Sequence, residues 1–216
     1  MSADEALGEF RGSPSRLAVV TIDLHRGHLD PAVATLPLPA DRSAALVERV
    51  VPLLQSYRDL GLTIVHVVTA YRTRAEILSN PYWRHQSGRP DSTRRRIAEH
   101  NLEGMPGLEL MPGIGHPADI VVTTKKRYDC FVGTDLEFVL RSGGHDGLLV
   151  LGVNTNSCVI ATAIAASVRD FSVFVVEDGV DSMLGDELHE AAKSIIAASF
   201  GWVVSGDSTV KLLAGS

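Results

Sequence analysis

The chain has 216 residues, 45% of them hydrophobic and 21% charged, and a formal net charge of −6. These values are ordinary for a soluble globular protein with one sizeable core. The negative charge argues against a nucleic-acid surface, and no apolar run is long enough to span a bilayer. The acidic N-terminus lacks the apolar segment of a secretory signal, and two cysteines are too few for a disulfide scaffold. We therefore expect a reduced, cytoplasmic protein.

The polar stretch at residues 1–15 predicts a flexible N-terminal arm. After it, short apolar runs predict buried strands and helical spacing of apolar residues predicts helices. In chain order these are a strand at 17–24, a helix at 41–60, strands at 62–68 and 120–124, a helix at 134–142, a strand at 148–151, a helix at 159–168, a strand at 172–176, a helix at 186–200 and a strand at 202–204. This alternation predicts one α/β domain over residues 16–216, with a three-layer α/β/α Rossmann-like fold and a mostly parallel sheet of about six strands.

Between residues 69 and 117 the periodic pattern is lost. A long connection of this kind in a compact domain often forms a lid or a binding loop. We therefore expect residues 69–117 to close over a site, with Tyr71, Trp83 and Arg84 as candidates for substrate contact. An arginine in the lid would suit a substrate that carries a carboxylate. The alternative is that the arginines of this stretch form a solvated face.

Cys158 lies in the most informative stretch of the sequence. The apolar run at 148–151 is followed by Gly152, where the chain can turn, and then by residue types that begin helices. Cys158 would then occupy the first helical turn at the carboxyl end of a central strand, where open parallel sheets bind their ligands. The helix dipole there favours a thiolate, so we interpret Cys158 as a nucleophile. The alternative is a small core residue, as most free cysteines are.

Asp23 and Lys125, or its neighbour Lys126, also stand at or just beyond the ends of apolar runs. The carboxyl ends of parallel strands share one edge of the sheet, so these side chains are expected to converge with Cys158. A carboxylate can take the proton of a thiol, while an ammonium group lowers the thiol pKa and keeps the carboxylate ionised. The three would form a nucleophilic set without histidine. The alternatives are a strand-end cap for Asp23 and a solvated surface pair for the lysines.

Three blocks of sequence resemble the isochorismatase-like cysteine hydrolase superfamily, which includes N-carbamoylsarcosine amidase, biuret hydrolase and nicotinamidase. They are VVTIDLHRG, which contains Asp23, KKRYDCFVGTDLE, which begins at Lys125, and LVLGVNTNSCVIATA, which contains Cys158. Their order and spacing agree with the family from about residue 17 to residue 204. The resemblance implies that Asp23, Lys125 and Cys158 are catalytic. It selects Lys125 over Lys126, because the family's lysine lies two places before the arginine of an Arg-Tyr pair.

The resemblance also implies a cis peptide bond between Val153 and Asn154, whose N–H would bind an oxyanion together with the N–H of Cys158. The implied reaction is hydrolysis of a small amide, carbamoyl or ureido compound through a thioester, with the aspartate as proton carrier. His25 stands where the family often has glutamine, so it joins Phe131 as a candidate substrate contact. The alternative for His25 is packing against the lid.

We expect neither a metal nor another cofactor. Nicotinamidase-type members of the family bind a metal through an aspartate and a histidine-rich segment after the second strand, and the corresponding segment here has no Asp-x-His pair. The histidines along the chain show no spacing typical of metal ligands; those considered are His66, His85, His100 and His116.

The expected partner is a small-molecule substrate, with no nucleic acid and no membrane, and the resemblance implies a homo-oligomer, either a dimer or a tetramer. Two other functions stay open at this point. One is vinyl-ether hydrolysis of the isochorismatase type, which uses the aspartate as a general acid and needs no thiol, so that Cys158 counts against it. The other is a non-catalytic α/β binding module.

Overall fold

The computed structural model describes residues 1–215. The strands within them are β1 (Leu17–Ile22), β2 (Thr63–Thr69), β3 (Ile120–Lys125), β4 (Gly147–Val153), β5 (Ser172–Asp181) and β6 (Trp202–Val204). The helices are α1 (Ala3–Gly8), α2 (Arg26–Leu29), α3 (Ala40–Asp59), α4 (Arg74–Leu78), α5 (Pro81–Gln86), α6 (Leu136–Ser142), α7 (Ile160–Ser167), α8 (Asp186–Ser199) and α9 (Gly206–Ala214). Shorter turns are the 3-10 turns Pro14–Arg16, Ile97–Glu99 and Pro106–Leu108 and the π-helical turn Thr155–Val159. Across this part of the chain, no helix combines the length and the apolar character that a membrane crossing requires.

The six strands are all parallel and form one sheet in the order β3-β2-β1-β4-β5-β6. The prediction of an α/β fold with a parallel sheet of about six strands is therefore confirmed. β1 and β4 lie side by side in the middle of the sheet, and the strand order runs outward in opposite directions from them. The carboxyl ends of two such strands flank the crevice in which open α/β sheets bind their ligands.

Alternate residues of the central strands enter two cores, one on each face of the sheet. Val19 of β1 and Leu149 of β4 belong to the core that contains residues of α1, α3 and α9. Val20 and Val150 belong to the core that contains residues of α6, α7 and α8. Because helices cover both faces, the central strands are apolar throughout, and this is why short unbroken apolar runs predicted them.

The prediction that residues 1–15 form a flexible arm is wrong. Ser2 caps α1 in a reciprocal arrangement with the glutamate three residues later. The side chains of Leu7 and Phe10 are buried, and Phe10 packs edge-on against Phe174 with the ring centroids 6.0 Å apart. The sequence carried the signal as the Ser-x-x-Glu pattern of a capping box, but so short an apolar segment shows no periodicity.

Other boundaries also differ from the predicted ones. β5 continues to Asp181, beyond its predicted end, because a register shift in its pairing with β4 accommodates the extra residues. α6 begins at Leu136, whose N–H donates to the hydroxyl of Thr134 at 3.2 Å. α9 was not predicted; the hydroxyl of Ser205 caps it by accepting the N–H of Ser208 at 3.2 Å.

Residues 69–117 contain short elements rather than one irregular loop. α4, α5 and two of the 3-10 turns lie within this stretch. Tyr71, Ile77 and Trp83 form a separate apolar cluster, together with Leu36 from the segment after α2. Tyr71, Trp83 and Leu36 line the same cavity as residues at the ends of β1 and β3. Residues 69–117 are called the lid below; that they close over the site stays a prediction.

We expect Phe10→Ala to lower the free energy of unfolding by about 3–5 kcal/mol, because it leaves a cavity between α1 and the sheet. Phe138→Ala is the matched control, since the Phe138 side chain is 75% exposed; its effect should stay below about 0.5 kcal/mol. Urea denaturation followed by circular dichroism measures both values. Equal effects of the two substitutions would show that Phe10 of the N-terminal segment does not contribute to the core.

Candidate active site

Three strand ends bring Asp23, Lys125 and Cys158 to one edge of the sheet. Asp23 directly follows β1, Lys125 ends β3, and Cys158 lies in the π-helical turn after β4. Asp23 has a φ of +55°, a left-handed conformation that short polar residues tolerate. Its N–H donates to the carbonyl of Val67 in β2 at 2.9 Å. The turn after β1 is therefore held against β2, with the carboxylate next to the other strand ends.

The ammonium group of Lys125 contacts the side chains at the three other strand ends. Its Nζ lies 2.5 Å from Asp23 Oδ2, 2.5 Å from Thr69 Oγ1 and 3.4 Å from Cys158 Sγ. An ammonium group has three protons, so each partner receives one. Lys126, the alternative lysine, donates instead to a backbone carbonyl in the lid. The structure thus brings together the three residues that the sequence predicted.

Thr69 is a site residue that the sequence analysis missed. Besides accepting from Lys125, it donates its backbone N–H to Asp23 Oδ1 at 2.9 Å. It therefore orients both members of the ion pair. The signal that would have found it is its place at the end of the second apolar run, which is the same signal that singled out Asp23 and Cys158.

Asp23 and Lys125 form a buried ion pair, each only 1% exposed. Burial opposes ionisation of Asp23, but the charge of Lys125 and the neighbouring His25 outweigh it and hold the pKa of the carboxyl well below its ordinary value. Burial likewise opposes a charge on Lys125, yet Asp23 and the Cys158 sulfur keep the pKa of the ammonium group above its ordinary value. Both groups are therefore charged at neutral pH.

Cys158 is a neutral thiol at rest. Burial raises its pKa to about 11, although Lys125 acts in the opposite direction. The expectation of a lowered thiol pKa is therefore wrong for the resting site, because the cost of desolvating the anion exceeds the help of an ammonium group already paired with Asp23. A nucleophilic role for the sulfur would therefore require transfer of its proton, and the Asp23 carboxylate is a neighbouring acceptor.

A cavity opens beside these groups. Asp23, Lys125 and Cys158 line it together with Asn154, and the lid contributes further residues, Tyr71, Trp83, Arg94 and His100.

The peptide bond between Val153 and Asn154 is cis. Val153 ends β4 and is fully buried, whereas Asn154 lines the cavity. The side-chain oxygen of Asn154 accepts the N–H of Met183 at 2.7 Å, so the amide group holds the chain after β5 in place. The roles of the Asn154 and Cys158 N–H groups as oxyanion donors stay a prediction.

Two of the predicted substrate contacts, Tyr71 and Trp83, line the cavity. Their polar atoms are already paired: the Tyr71 hydroxyl donates to the carbonyl of Lys126 at 2.8 Å, and Trp83 Nε1 donates to the Tyr128 hydroxyl at 2.9 Å. They therefore offer the cavity aromatic surface rather than free hydrogen-bonding groups.

The other three predicted contacts, His25, Arg84 and Phe131, lie outside the cavity wall. His25 is fully buried, with Nε2 3.4 Å from Asp23 Oδ1 and 2.8 Å from Asn101 Nδ2. Arg84 donates to a backbone carbonyl of its own segment at 3.2 Å, and the ring of Phe131 stacks on another phenylalanine in the core. For His25 the contact with Asn101 agrees with the alternative of packing against the lid.

Three histidines that the sequence analysis did not group lie together beside Asp23. His25 precedes α2, His28 lies within it, and His100 follows a 3-10 turn of the lid. One ring nitrogen of each lies within 4.8 Å of the others, which makes them the candidate metal ligands among residues 1–215. The His-x-x-His spacing of the first two was visible in the sequence, but no pattern connected them to His100.

The raised thiol pKa predicts how Cys158 reacts with iodoacetamide. Only the thiolate is alkylated, so the rate at residue 158 should be slow at pH 7 and still rise between pH 8 and pH 10, because the pKa is about 11. The measurement is the rate of modification of Cys158 by mass spectrometry, with the urea-unfolded chain as the control for ordinary thiols. A rate that reaches its plateau below pH 8 would contradict the neutral resting thiol.

The chain is similar to known proteins over most of its length. The family model described as the isochorismatase domain matches residues 17–208. Maleamate amidohydrolase from Pseudomonas putida is 26% identical over 206 residues, which cover 95% of this chain and 91% of that protein. Ureidoacrylate amidohydrolase from Pantoea ananatis is 27% identical and covers 89% of this chain and 80% of its own length.

Solved structures share the architecture. A cysteine hydrolase from Pseudomonas syringae superposes with a TM-score of 0.75 at 22% identity over 94% of each chain. N-carbamoylsarcosine amidase from Thermoplasma acidophilum gives a TM-score of 0.69 at 25% identity, covering 88% of this chain and 96% of that one. The family match extends from the first strand of the sheet to the start of the last helix. On this match we conclude that the chain belongs to the isochorismatase family.

Proposed function

We propose that this protein is a cysteine hydrolase that cleaves a C–N bond of a small amide, carbamoyl or ureido compound through a thioester. The observation that carries the proposal is that one ammonium group, Lys125 Nζ, contacts both the Asp23 carboxylate and the Cys158 sulfur beside a cavity. The set contains a nucleophile, a base for its proton and a cation that keeps the base ionised.

In the first step, Cys158 Sγ attacks the carbonyl carbon of the substrate while the thiol proton passes to Asp23. Lys125 stays protonated, since its pKa lies above the ordinary value, and it stabilises the negative charge that moves between the sulfur and the carboxylate. The N–H groups of Asn154 and Cys158 would bind the oxyanion that forms. One donor of this kind is worth about 3 kcal/mol of transition-state stabilisation.

In the second step, Asp23 gives the proton to the departing nitrogen and the C–N bond breaks. Ammonia or a small amine leaves, and the acyl group remains on Cys158 as a thioester. Water then attacks the thioester, with Asp23 accepting one of its protons, and the C–S bond breaks as the sulfur recovers a proton. The balance is one amide and one water consumed, one acid and one amine formed.

Two relatives, maleamate amidohydrolase and ureidoacrylate amidohydrolase, support the amide and ureido classes by their names. The geometry favours amide hydrolysis over the vinyl-ether reaction, because the latter needs no thiol and here Lys125 contacts one. It also favours an enzyme over a binding module, because a buried ion pair against a thiol in a cavity is typical of a catalytic site.

Arg94 supports a substrate with an anionic end. It is half-buried and lines the cavity, and its guanidinium group has no partner among residues 1–215. Neighbouring arginines are engaged: Arg127 donates to the hydroxyl of Ser79 at 2.9 Å, and Arg96 pairs with a glutamate. A free guanidinium in a cavity is suited to bind a carboxylate through two parallel hydrogen bonds. We therefore include a carboxylate in the proposed substrate class.

Cys158→Ser and Asp23→Asn should each lower kcat by about 100-fold or more, because the first removes the thiol nucleophile and the second removes the proton carrier. The measurement is ammonia or amine release over a panel of small amides, ureas and carbamoyl amino acids, with circular dichroism to check folding. Cys130→Ser is the matched control, since Cys130 is fully buried and does not line the cavity. Turnover of Cys158→Ser within a few-fold of the unsubstituted protein would exclude the thioester route.

Arg94→Gln should raise KM for a carboxylate-bearing substrate by about 10- to 100-fold, because a hydrogen bond between charged groups is lost. The uncharged methyl ester of the same compound should show little change. Arg95→Gln is the matched control, since Arg95 is exposed and does not line this cavity. Steady-state kinetics of the unsubstituted protein and both variants, each with the acid and with its methyl ester, measures the effect. An equal change of KM for acid and ester in Arg94→Gln would rule out carboxylate binding by Arg94.

A further inference from the structure

The side chain of Asn154 lies on the cavity wall next to the turn that carries Cys158, and the proposed reaction gives it no part. Asn154 directly precedes this turn and is 4% exposed. Its carbonyl oxygen accepts the N–H of Ser157 at 3.0 Å and the N–H of Val159 at 3.2 Å. Ser157 and Val159 flank Cys158 in the sequence. The backbone of Asn154 is therefore held close to the proposed nucleophile.

A single contact fixes the orientation of the Asn154 side-chain amide. The N–H of Met183 donates to it at 2.7 Å. A backbone N–H only donates, so the amide atom that it meets is the oxygen and not the nitrogen. Met183 lies just after β5, whose last residue, Asp181, forms an ion pair with Arg42 of α3. The oxygen of the amide is thus bound by a segment that is itself anchored to the neighbouring helix.

The nitrogen of the same amide, Nδ2, has two protons and no hydrogen-bond partner among residues 1–215. In this part of the chain, the side-chain polar atoms that are both unpaired and completely buried are oxygens of Asn101 and Asp146. Because Asn154 Nδ2 is not one of them, it borders open space, and the open space beside Asn154 is the cavity. A donor that is nearly buried and unpaired is costly to the protein unless a ligand pairs with it.

Other donors of the cavity wall are less suited to reach a carbonyl group that Cys158 attacks. Trp83 uses its proton within the protein, and Arg94 and Tyr128 lie on other segments of the chain. Ser157 has an unpaired hydroxyl on the wall, but no contact holds it in one orientation. Attack requires the carbonyl carbon about 3–3.5 Å from the sulfur, so the carbonyl oxygen lies beside the turn. Asn154 offers a donor there that is both free and fixed in direction.

We propose that the side-chain amide of Asn154 donates a hydrogen bond to the oxygen of the carbonyl group that Cys158 attacks. The inference rests on the proposed amide hydrolysis and adds a side-chain donor to the two backbone N–H groups. Asn154 is then a catalytic residue. Negative charge on this oxygen is greatest in the tetrahedral transition state, so the hydrogen bond is stronger there than in the bound substrate. Loss of the donor therefore lowers kcat more than it raises KM.

A neutral amide that is already oriented suits this role. The donor is in place before the reaction begins, so no reorganisation is needed as the charge develops. Because the amide carries no charge, it does not compete with Lys125 for the carboxylate of Asp23. The hydrogen bond transfers no proton. When the nitrogen leaves, the C=O bond forms again, and the balance of the proposed reaction is unchanged.

The test compares an amide that the protein hydrolyses with the corresponding thioamide, in which sulfur replaces the carbonyl oxygen. Sulfur is a weaker acceptor than oxygen, so a donor directed at this atom contributes little to the thioamide reaction. We expect Asn154→Ala to lower kcat for the amide by about 100-fold or more and to leave KM nearly unchanged. The loss of kcat for the thioamide should be clearly smaller. Steady-state kinetics of both substrates measures these values.

Asn154→Asp separates the donor from the acceptor of the amide. Its carboxylate keeps an oxygen for the N–H of Met183 but has no N–H to donate. We expect a loss of kcat for the amide at pH 8 that is at least as large as in Asn154→Ala. This variant decides the question even if the thioamide reacts too slowly to measure. Turnover of Asn154→Asp within a few-fold of the unsubstituted protein would overturn the proposal.

Asn156→Ala is the matched structural control. Asn156 lies on the same turn and its side-chain oxygen accepts the hydroxyl of Ser182 at 2.7 Å, but it does not line the cavity. Any loss of kcat in this variant should be equal for amide and thioamide. Equal losses in Asn154→Ala would assign Asn154 the same structural role and overturn the proposal. Failure of the proposed function is a different result, in which the unsubstituted protein hydrolyses no amide of the panel.

Discussion

A buried ammonium group needs a partner for each of its protons, and Lys125 finds all three in Asp23, Thr69 and Cys158. An unpaired charge at this depth would cost several kcal/mol, so the side chain joins the end of β3 to the ends of β1 and β2 and to the turn after β4. The same contact keeps the carboxylate ionised beside a thiol that burial keeps neutral. One ion pair therefore organises the edge of the sheet and prepares the proton transfer that the proposed reaction requires.

β1 and β4 can approach each other closely because Gly152 has no side chain. Gly152 pairs with Ile22 and has a φ of +121°, and a Cβ at this position would lie 2.0 Å from the carbonyl oxygen of Ile22. Only glycine lets the chain leave β4 toward Cys158 while it stays against β1. The positions of Asp23 and Cys158 relative to each other are thus determined by two adjacent strands rather than by flexible side chains.

The sequence predicted the parts of the site that follow from strand ends. Asp23, Lys125 and Cys158 each stand at the end of an apolar run, and in a parallel sheet those ends share an edge. His28 and His100 could not be paired in this way, because their meeting depends on the path of a lid without periodicity. The thiol pKa was predicted in the wrong direction because it depends on burial, which is a property of the folded chain.

The residues of the proposed reaction and much of the cavity wall come from different parts of the molecule. Asp23, Lys125 and Cys158 stand on or directly after strands of the sheet, whereas the lid contributes the wall residues Tyr71, Trp83, Arg94 and His100. Loops on a rigid scaffold tolerate sequence change far better than the scaffold itself. A library of variants confined to residues 70–117 would therefore change the cavity wall while Asp23, Thr69, Lys125 and Cys158 stay in place. This makes residues 70–117 the target for directed evolution of the proposed hydrolase toward other substrates.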